Sequence, residues 1–205
     1  MYNLKFKSAA TLIISLMLLS PVRAQFRTVG LFLNDSSSFN GYTLFAPLSY
    51  INTYIINNEG RLIHLWEGNN RPGLSAYLLE NGNLLRTASV TNNTFNAGGK
   101  GGLIQEFEWE GDLIWEFEYS SDQYLQHHDV EKLPNGNTLI IAWEYKDFEE
   151  VLGAGRNPNL LSQGSLWPDY IIEVEPNGSN SGVIVWEWHV WDHLIQDYDS
   201  TQLNY

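Results

Sequence analysis

Short apolar segments separated by polar turns recur along the chain. Three segments, TYIINNEGRLIHLW, IQEFEWEGDLIWEF and IIEVEPNGSNSGVIVWEW, share one pattern: an apolar strand, a turn with glycine, and a strand of β-branched and aromatic residues. This pattern predicts a β-hairpin in each segment. In the alignment of the three hairpins, Gly60, Gly111 and Gly182 take equivalent turn positions, and His64, Trp115 and Trp186 take equivalent strand positions.

A second kind of hairpin follows the first two. The segments AYLLENGNLLRTA and HDVEKLPNGNTLIIA each turn at an Asn-Gly pair, and Asn-Gly supplies the positive φ angles of a tight hairpin. We therefore group the Gly60 hairpin with the Gly82 hairpin, and the Gly111 hairpin with the Gly136 hairpin, as units of four strands. TLIIAW alternates too little for a half-exposed strand, so we expect it to be buried on both faces.

Four-stranded units that repeat every roughly 40 to 50 residues are typical of β-propeller blades. The spacing from Gly60 to Gly111 fits this period, and the longer spacing from Gly111 to Gly182 indicates an insertion, VLGAGRNPNLLSQGSLWPD. The sequence thus predicts an all-β protein, a β-propeller of four-stranded blades with about two full blades, part of a third, and an N-terminal strand in GYTLFAP.

A propeller ring closes with about four to eight blades, which is more than this sequence supplies. We therefore expect these residues to be the N-terminal part of a longer protein, truncated at its C-terminal side. The alternative is a small protein that closes its ring by oligomerising.

The first 24 residues have the three parts of a secretory signal peptide. Lys5 and Lys7 give a positive start, residues 9–19 form a short apolar core, and Val22-Arg23-Ala24 offers a cleavage site. The apolar core is too short to span a bilayer. We expect cleavage after Ala24 and export of the domain 25–205 to the periplasm or the extracellular space.

The cysteine content indicates how the fold is stabilised, and the net charge limits the classes of binding partner. The chain has no cysteine, so it must be stabilised by burial alone. It has 24 Asp and Glu against 11 Lys and Arg, a formal net charge of −13. Nucleic acids and anionic membrane surfaces attract Lys and Arg, so we expect neither as a partner. An anionic small molecule would have to be bound by local donors.

The stretch HHDVEKLPNGNTLIIAWE places two histidines and an aspartate before a turn. In a regular strand, side chains alternate between faces, so His128 would share a face with Val130, and His127 would lie with Asp129 and Glu131. His128 would then point to the covered side, or to the central channel of the ring if this strand is the inner one. Two interpretations stay open at this point. The histidines are either hydrogen-bonded structural residues near a strand end or part of a site on one face of the scaffold.

A second histidine pair lies in WEWHVWDHLIQD. His189 and His193 are four residues apart and would face the same side of a helix. Histidines at this spacing can ligate zinc, but no HExxH pattern and no third ligand are present, so we predict no metal and no cofactor. We expect the chain to leave a strand at His189 and to carry both histidines over one end of the ring.

Several of these motifs together resemble the bacterial arylsulfate sulfotransferase family. The resemblance combines the signal peptide, the GDLIWEF hairpin, residues 128–139 (HDVEKLPNGNTL) and residues 186–197 (WEWHVWDHLIQD), and it covers residues 40 to 205. Members of that family look like six-bladed propellers of greater length. The resemblance therefore implies the same fold as the repeat, and a longer chain.

The resemblance also implies an activity. It is the transfer of a sulfuryl group from a phenolic sulfate ester to another phenol through a sulfohistidine, so the partners are small aryl sulfates and phenols. His128 matches the His-Asp position of the family's catalytic group and would donate to substrate oxygens, with His127 and Asp129 beside it. The family's nucleophilic histidine lies in later blades that this sequence does not contain.

The absence of that nucleophilic histidine from the given residues bears on their expected activity. We expect the 25–205 chain alone to be inactive, because a nucleophile is needed to split the transfer into two steps. His189 and His193 are not assigned that role and are kept as candidate substrate-binding residues.

Two other functions fit the pattern of aromatic residues. A non-catalytic propeller could bind a glycan or a protein, with Trp143, Trp167 and Trp191 as exposed stacking surfaces. A quinone-dependent dehydrogenase propeller also repeats tryptophan at fixed spacing, but Trp115 and Trp186 are more simply core residues of buried strands.

Overall fold

A computed structural model describes residues 30 to 205. The predicted signal peptide, residues 1–24, lies outside the described residues. The chain divides into two units, residues 1–38 and 39–205. In the described part of the first unit, the backbone N–H and hydroxyl of Ser37 donate to Asp35 Oδ1 at 2.8 and 2.6 Å. All of the elements below belong to the second unit.

Strands account for 43% of the residues and helices for 7%, which confirms the all-β prediction. The strands are β1 (Tyr42–Phe45), β2 (Thr53–Asn57), β3 (Leu62–Trp66), β4 (Pro72–Leu78), β5 (Leu84–Ser89), β6 (Gly102–Phe107), β7 (Leu113–Glu118), β8 (Tyr124–Lys132), β9 (Thr138–Glu144), β10 (Asp169–Pro176) and β11 (Gly182–His189). The predicted N-terminal strand in GYTLFAP is β1. As predicted, β9 (TLIIAWE) is at least half-buried on both faces.

The predicted insertion lies between β9 and β10. The segment between these strands contains the helix α1 (Phe148–Gly153), which begins three residues before the predicted insertion, and a 3-10 turn (Pro158–Leu160). A second 3-10 turn (Val190–His193) follows β11. Asp147 begins α1 with a capping box, in which its side chain accepts from the N–H of Glu150 and the Glu150 side chain accepts from the N–H of Asp147. No helix among residues 30 to 205 is long and apolar enough to cross a membrane.

The strands form three open antiparallel sheets, each with its strands in sequence order: β1-β2-β3, β4-β5-β6-β7 and β8-β9-β10-β11. The sequence predicted an incomplete third unit, but the three-stranded sheet is the first, and the predicted grouping of hairpins is wrong. The Gly82 hairpin pairs with the Gly111 hairpin and not with the Gly60 hairpin. The reason is that β5 and β6 are buried along almost their whole length and pair residue by residue from Leu84–Phe107 to Ser89–Gly102.

The three aligned hairpins share a β-bulge. The extra residues are Ile63, Ile114 and Val185, and each directly precedes the aligned residue His64, Trp115 or Trp186. This confirms the strand alignment. The alignment of turn glycines is wrong in the third hairpin, where Gly178 has the positive φ of 77° and Gly182 is the first residue of β11.

The sheets pack face to face in a repeating manner. The indole N–H of Trp66 on β3 donates to the carbonyl of Glu108, in the turn of the β6–β7 hairpin, at 2.9 Å. The indole N–H of Trp115 on β7 donates to the carbonyl of Ser181, in the turn of the β10–β11 hairpin, at 3.0 Å. The first and second sheets therefore each use a tryptophan of their last strand to contact the last hairpin of the next sheet.

Arg86 on β5 joins the first sheet to the second. Its side chain is buried, and it donates to the carbonyl of Ile51 at 2.8 Å and to Gln105 Oε1 at 2.9 Å. No carboxylate of the described chain forms an ion pair with it, and burial lowers its pKa to about 10. The guanidinium still carries its charge at neutral pH, so its hydrogen bonds must offset the cost of burying it.

We predict that Trp115→Ala destabilises the 25–205 chain far more than Trp186→Ala. The two residues occupy the same repeat position, but Trp115 is 4% exposed and Trp186 is 48% exposed. Loss of a buried tryptophan costs about 3–5 kcal/mol, and the half-exposed one should cost about 1–2 kcal/mol. Urea unfolding followed by circular dichroism measures both, and equal losses would contradict the packing described above.

Candidate functional site

The two histidines predicted from the sequence lie in an irregular part of β8. Gln126 pairs with Ala142 and Val130 pairs with Ile140, so three residues of β8, 127 to 129, lie opposite the single residue Ile141 of β9. Such a bulge re-aims side chains and interrupts the regular alternation of faces. It therefore decides where His127, His128 and Asp129 point.

His127 is the buried histidine and His128 the exposed one. The prediction that His128 shares a face with Val130 and points to the covered side is wrong, because His128 is exposed and Val130 is buried. The alternative, that His128 points to a central channel, stays a prediction. His128 has a φ of 52°, the only positive φ of a non-glycine residue between residues 30 and 205, and this turns its side chain out of the strand pattern. His127, at 4% exposure, instead stacks on Trp143 with 4.0 Å between ring centroids.

The loop before β6 holds the bulge in place. The N–H of His128 donates to the carbonyl of Gly99 at 2.7 Å, and Lys100 pairs with His127 in an isolated antiparallel bridge. A Cβ atom at Gly99 would lie 2.2 Å from Cε1 of His128, and Gly99 has a φ of 87°. Glycine is therefore required for the imidazole of His128 to lie against this loop.

Three side chains form a chain of hydrogen bonds. His127 Nε2 lies 3.1 Å from Asp169 Oδ1, and His127 Nδ1 lies 2.8 Å from Nδ1 of His128. An ionised carboxylate only accepts, so His127 carries its proton on Nε2 and accepts at Nδ1. His128 must then donate from Nδ1, which leaves its Nε2 with a free lone pair in the neutral state.

Burial lowers the pKa of His127 to about 4, the neighbouring His128 acts in the same direction, and the Asp169 carboxylate opposes both. His127 therefore stays neutral near pH 7. A neutral His127 can continue to accept from His128 whether His128 is neutral or protonated, so Asp169 and His127 fix the orientation of the exposed ring.

Asp129 is held by a residue from the second sheet. Its Oδ1 accepts from the hydroxyl of Tyr77 at 2.8 Å and from the N–H of Val130 at 2.9 Å. The hydrogen bond to Asp129 raises the pKa of Tyr77. Asp129 is exposed. Its hydrogen bonds hold the C-terminal end of the bulge in place, and it forms no hydrogen bond with the imidazole of His127 or of His128.

The second histidine pair lies elsewhere. As predicted, the strand β11 ends at His189, whose ring stacks on Tyr170 at 4.6 Å and whose Nδ1 lies 3.2 Å from Glu144 Oε1. The exposed ring of His193 stacks on Trp188 at 5.1 Å. Within residues 30 to 205, no hydrogen bond, ion pair or ring contact joins either histidine to His127 or His128.

The structure adds residues that the sequence pattern did not indicate. Asp169, Trp143, Gly99 and Tyr77 all contact the histidine bulge, and Asp169 lies 42 residues from His127.

Of the tryptophans proposed as exposed stacking surfaces, Trp143 is buried, and Trp167 and Trp191 are half-buried. In the described part of the chain, no group of three or more His, Cys, Asp or Glu is placed to hold a metal ion.

Comparisons with protein-family models and with curated protein sequences give no match. The chemistry of the site therefore follows from its geometry. An exposed imidazole with a fixed tautomer, supported by a buried neutral histidine and a carboxylate, can take up a proton at Nε2 and give it back.

We predict that His127 makes the native state less stable as the pH falls from about 6.5 to about 4. The unfolded chain takes up a proton near the ordinary histidine pKa of 6.5, whereas the folded chain does so only near 4. The contribution of His127 to the free energy of unfolding is complete above pH 6.5. It is lost as the pH falls from 6.5 toward 4, by an amount on the order of 2 kcal/mol. Urea unfolding at pH 7 and pH 4.5 should show this loss in the wild type and a smaller one in His127→Gln.

Ring NMR signals of His127 provide a second measurement, should His127→Gln fold poorly. They are expected to remain those of a neutral Nε2–H imidazole down to pH 5. A ring that is protonated at pH 6 would contradict the burial argument.

Proposed function

We propose that the chain is the N-terminal portion of an exported, arylsulfotransferase-like β-propeller enzyme, in which His128 is the acid and base. The single observation that carries the proposal is the Asp169–His127–His128 chain of hydrogen bonds, which leaves Nε2 of an exposed imidazole free. The proposed substrates are small aryl sulfates and phenols, and the proposed location is the periplasm or the extracellular space.

The arrangement of sheets supports the propeller part of the proposal. The first strands of neighbouring sheets contact each other, β1 with β4 and β4 with β8. First strands that meet in this way would line a central channel, as in propellers. His128 belongs to β8, so a ligand in such a channel would meet its exposed ring.

The outer face of the last sheet supports a longer chain. Trp186 and Trp188 on β11 are 48% and 38% exposed, whereas Trp115, which takes the position of Trp186 in the preceding sheet, is covered by the next sheet. An exposed aromatic face of this kind is a surface that a further sheet would cover.

The proposed reaction has two balanced steps. In the first, the nucleophilic histidine implied by the family resemblance attacks sulfur, the sulfur–oxygen bond to the aryl group breaks, and the leaving phenolate takes the proton from Nε2 of protonated His128. In the second, the acceptor phenol attacks sulfur, the nitrogen–sulfur bond breaks, and the phenol proton passes to Nε2. His128 thereby returns to its starting state.

The Asp169–His127 pair has a defined part in both steps. While His128 is protonated, its Nδ1–H donates to His127, whose Nε2–H donates to Asp169. The carboxylate thus stabilises the imidazolium through a neutral ring and keeps Nε2 directed away from the bulge. This arrangement follows the logic of an acid–base histidine that is oriented by a second group.

We predict that His128→Ala, in the protein encoded by the complete gene, slows the first release of phenol from phenyl sulfate by about 10²–10⁴. Release of 4-nitrophenol from its sulfate should slow much less, because this more acidic leaving group needs little help from a proton. Rapid-mixing measurement of the first turnover compares the two donors directly.

Arg61→Ala serves as the control, since Arg61 is an exposed residue in the turn between β2 and β3 without contact to the bulge, and both rates should stay at the wild-type value. Equal slowing of the two donors by His128→Ala would contradict the acid role. Unchanged rates would remove His128 from the mechanism and favour the alternative, a non-catalytic propeller that binds a glycan or a protein.

A further inference from the structure

A pocket of about 240 Å³ lies beside the helix α1, between the insertion and the residues that follow β11. Its walls include the rings of Trp167 and Trp191, and all of its lining residues except Arg156 and Gln196 are apolar. The volume is slightly below the range of roughly 300–1,000 Å³ that is usual for ligand pockets. It therefore suits a ligand of one or two rings.

The two polar residues that line the pocket differ in whether their side chains are free to form hydrogen bonds with a ligand. The amide of Gln196 is fully used, because its Nε2 donates to the carbonyl of Asp199 and to Asn204 Oδ1, and its Oε1 accepts from two backbone N–H groups. The side chain of Arg156 has no hydrogen-bond or ion-pair partner among residues 30 to 205. Arg156 is thus the group that can meet a ligand at this pocket.

The positive charge of Arg156 indicates that the ligand of this pocket carries a negative charge. Arg156 is one of several cations among residues 30 to 205 that form no ion pair with a carboxylate, and it is the one that lines this pocket. The nearby Lys146 is already engaged, with its Nζ 3.0 Å from Glu144 Oε2 and above the ring of Trp191. A guanidinium beside an apolar pocket with two indole walls is complementary to a flat ring that bears one negative group.

The pocket is built from segments that are fixed by hydrogen bonds. The capping box of Asp147 and Glu150 fixes the start of α1, and Asn204 Nδ2 donates to the carbonyl of Ala154 at 3.0 Å. The N–H of Gln196 donates to the carbonyl of Asn204 at 2.9 Å, which ties the final residues to the same wall. Little ordering is then required when a ligand binds.

We propose that this pocket binds a small aromatic monoanion, with its ring between Trp167 and Trp191 and its negative group at the guanidinium of Arg156. The pocket contains neither His127 nor His128, so this inference does not rest on the proposed function. An aryl carboxylate and an aryl sulfate share the required chemistry, and the experiment separates them.

Isothermal titration of the purified protein with 2-naphthoate, its neutral analogue 2-naphthamide and 2-naphthyl sulfate tests the proposal. We expect 2-naphthoate or 2-naphthyl sulfate to bind at least about fivefold more tightly than 2-naphthamide, because only an anion gains from the guanidinium. The anion that binds more tightly identifies its source as a carboxylate or a sulfate ester. The indole N–H signals of Trp167 and Trp191 should shift in NMR spectra.

Arg156→Gln should weaken binding of the anion about fivefold and leave 2-naphthamide unchanged. Arg61→Gln, at an exposed arginine in the turn of the first hairpin, is the matched control and should change neither. His128→Ala should also leave this binding unchanged, so failure of this proposal and failure of the proposed enzyme are distinguishable. The proposal is overturned if amide and anions bind equally, if Arg156→Gln has no effect on the anion, or if none of the three probes binds.

Discussion

Aromatic packing between the two four-stranded sheets is the interaction on which the rest of the structure depends. Trp115 and Phe117 of β7 and Tyr119, the residue that follows β7, stack in a row with centroid separations of 6.2 and 5.8 Å. Tyr119 then stacks on Tyr124 of β8 at 4.3 Å, and its hydroxyl lies 2.6 Å from that of Tyr170 on β10. The chain has no cysteine, so this burial, and not a covalent link, fixes β8 and β10 relative to the second sheet.

The candidate site follows from that constraint. With the start of β8 fixed at Tyr124, the two extra residues of the bulge must be accommodated before Val130, and His128 takes a positive φ to do so. A positive φ costs energy that the surroundings must offset. The stacking of His127 on Trp143 and the hydrogen bond from His128 to Gly99 are the contacts that offset it, and they also aim the imidazoles.

Three cations among residues 30 to 205 are held by oxygen atoms of the protein: Lys132 lies 2.9 Å from Glu106, Lys146 lies 3.0 Å from Glu144, and the guanidinium of Arg86 is buried against carbonyl and amide oxygens. The exposed ring of His128 and the side chain of Arg156 are placed differently. Both combine a polar group with a neighbouring aromatic surface, which is the combination that aromatic anions require.

The sequence by itself determined the local structure. Glycine turns and the alternation of apolar residues predicted the hairpins, and the alignment of His64, Trp115 and Trp186 predicted a register that the shared bulges confirm, because these features depend on neighbours along the chain. Only the tertiary structure decided which hairpins share a sheet, since that depends on which strands are buried on both faces. It also decided the site: Asp169 and Trp143 reach His127 through strand pairing across β9, and a bulge that reverses the expected orientation of His128 leaves no signal in the residue pattern.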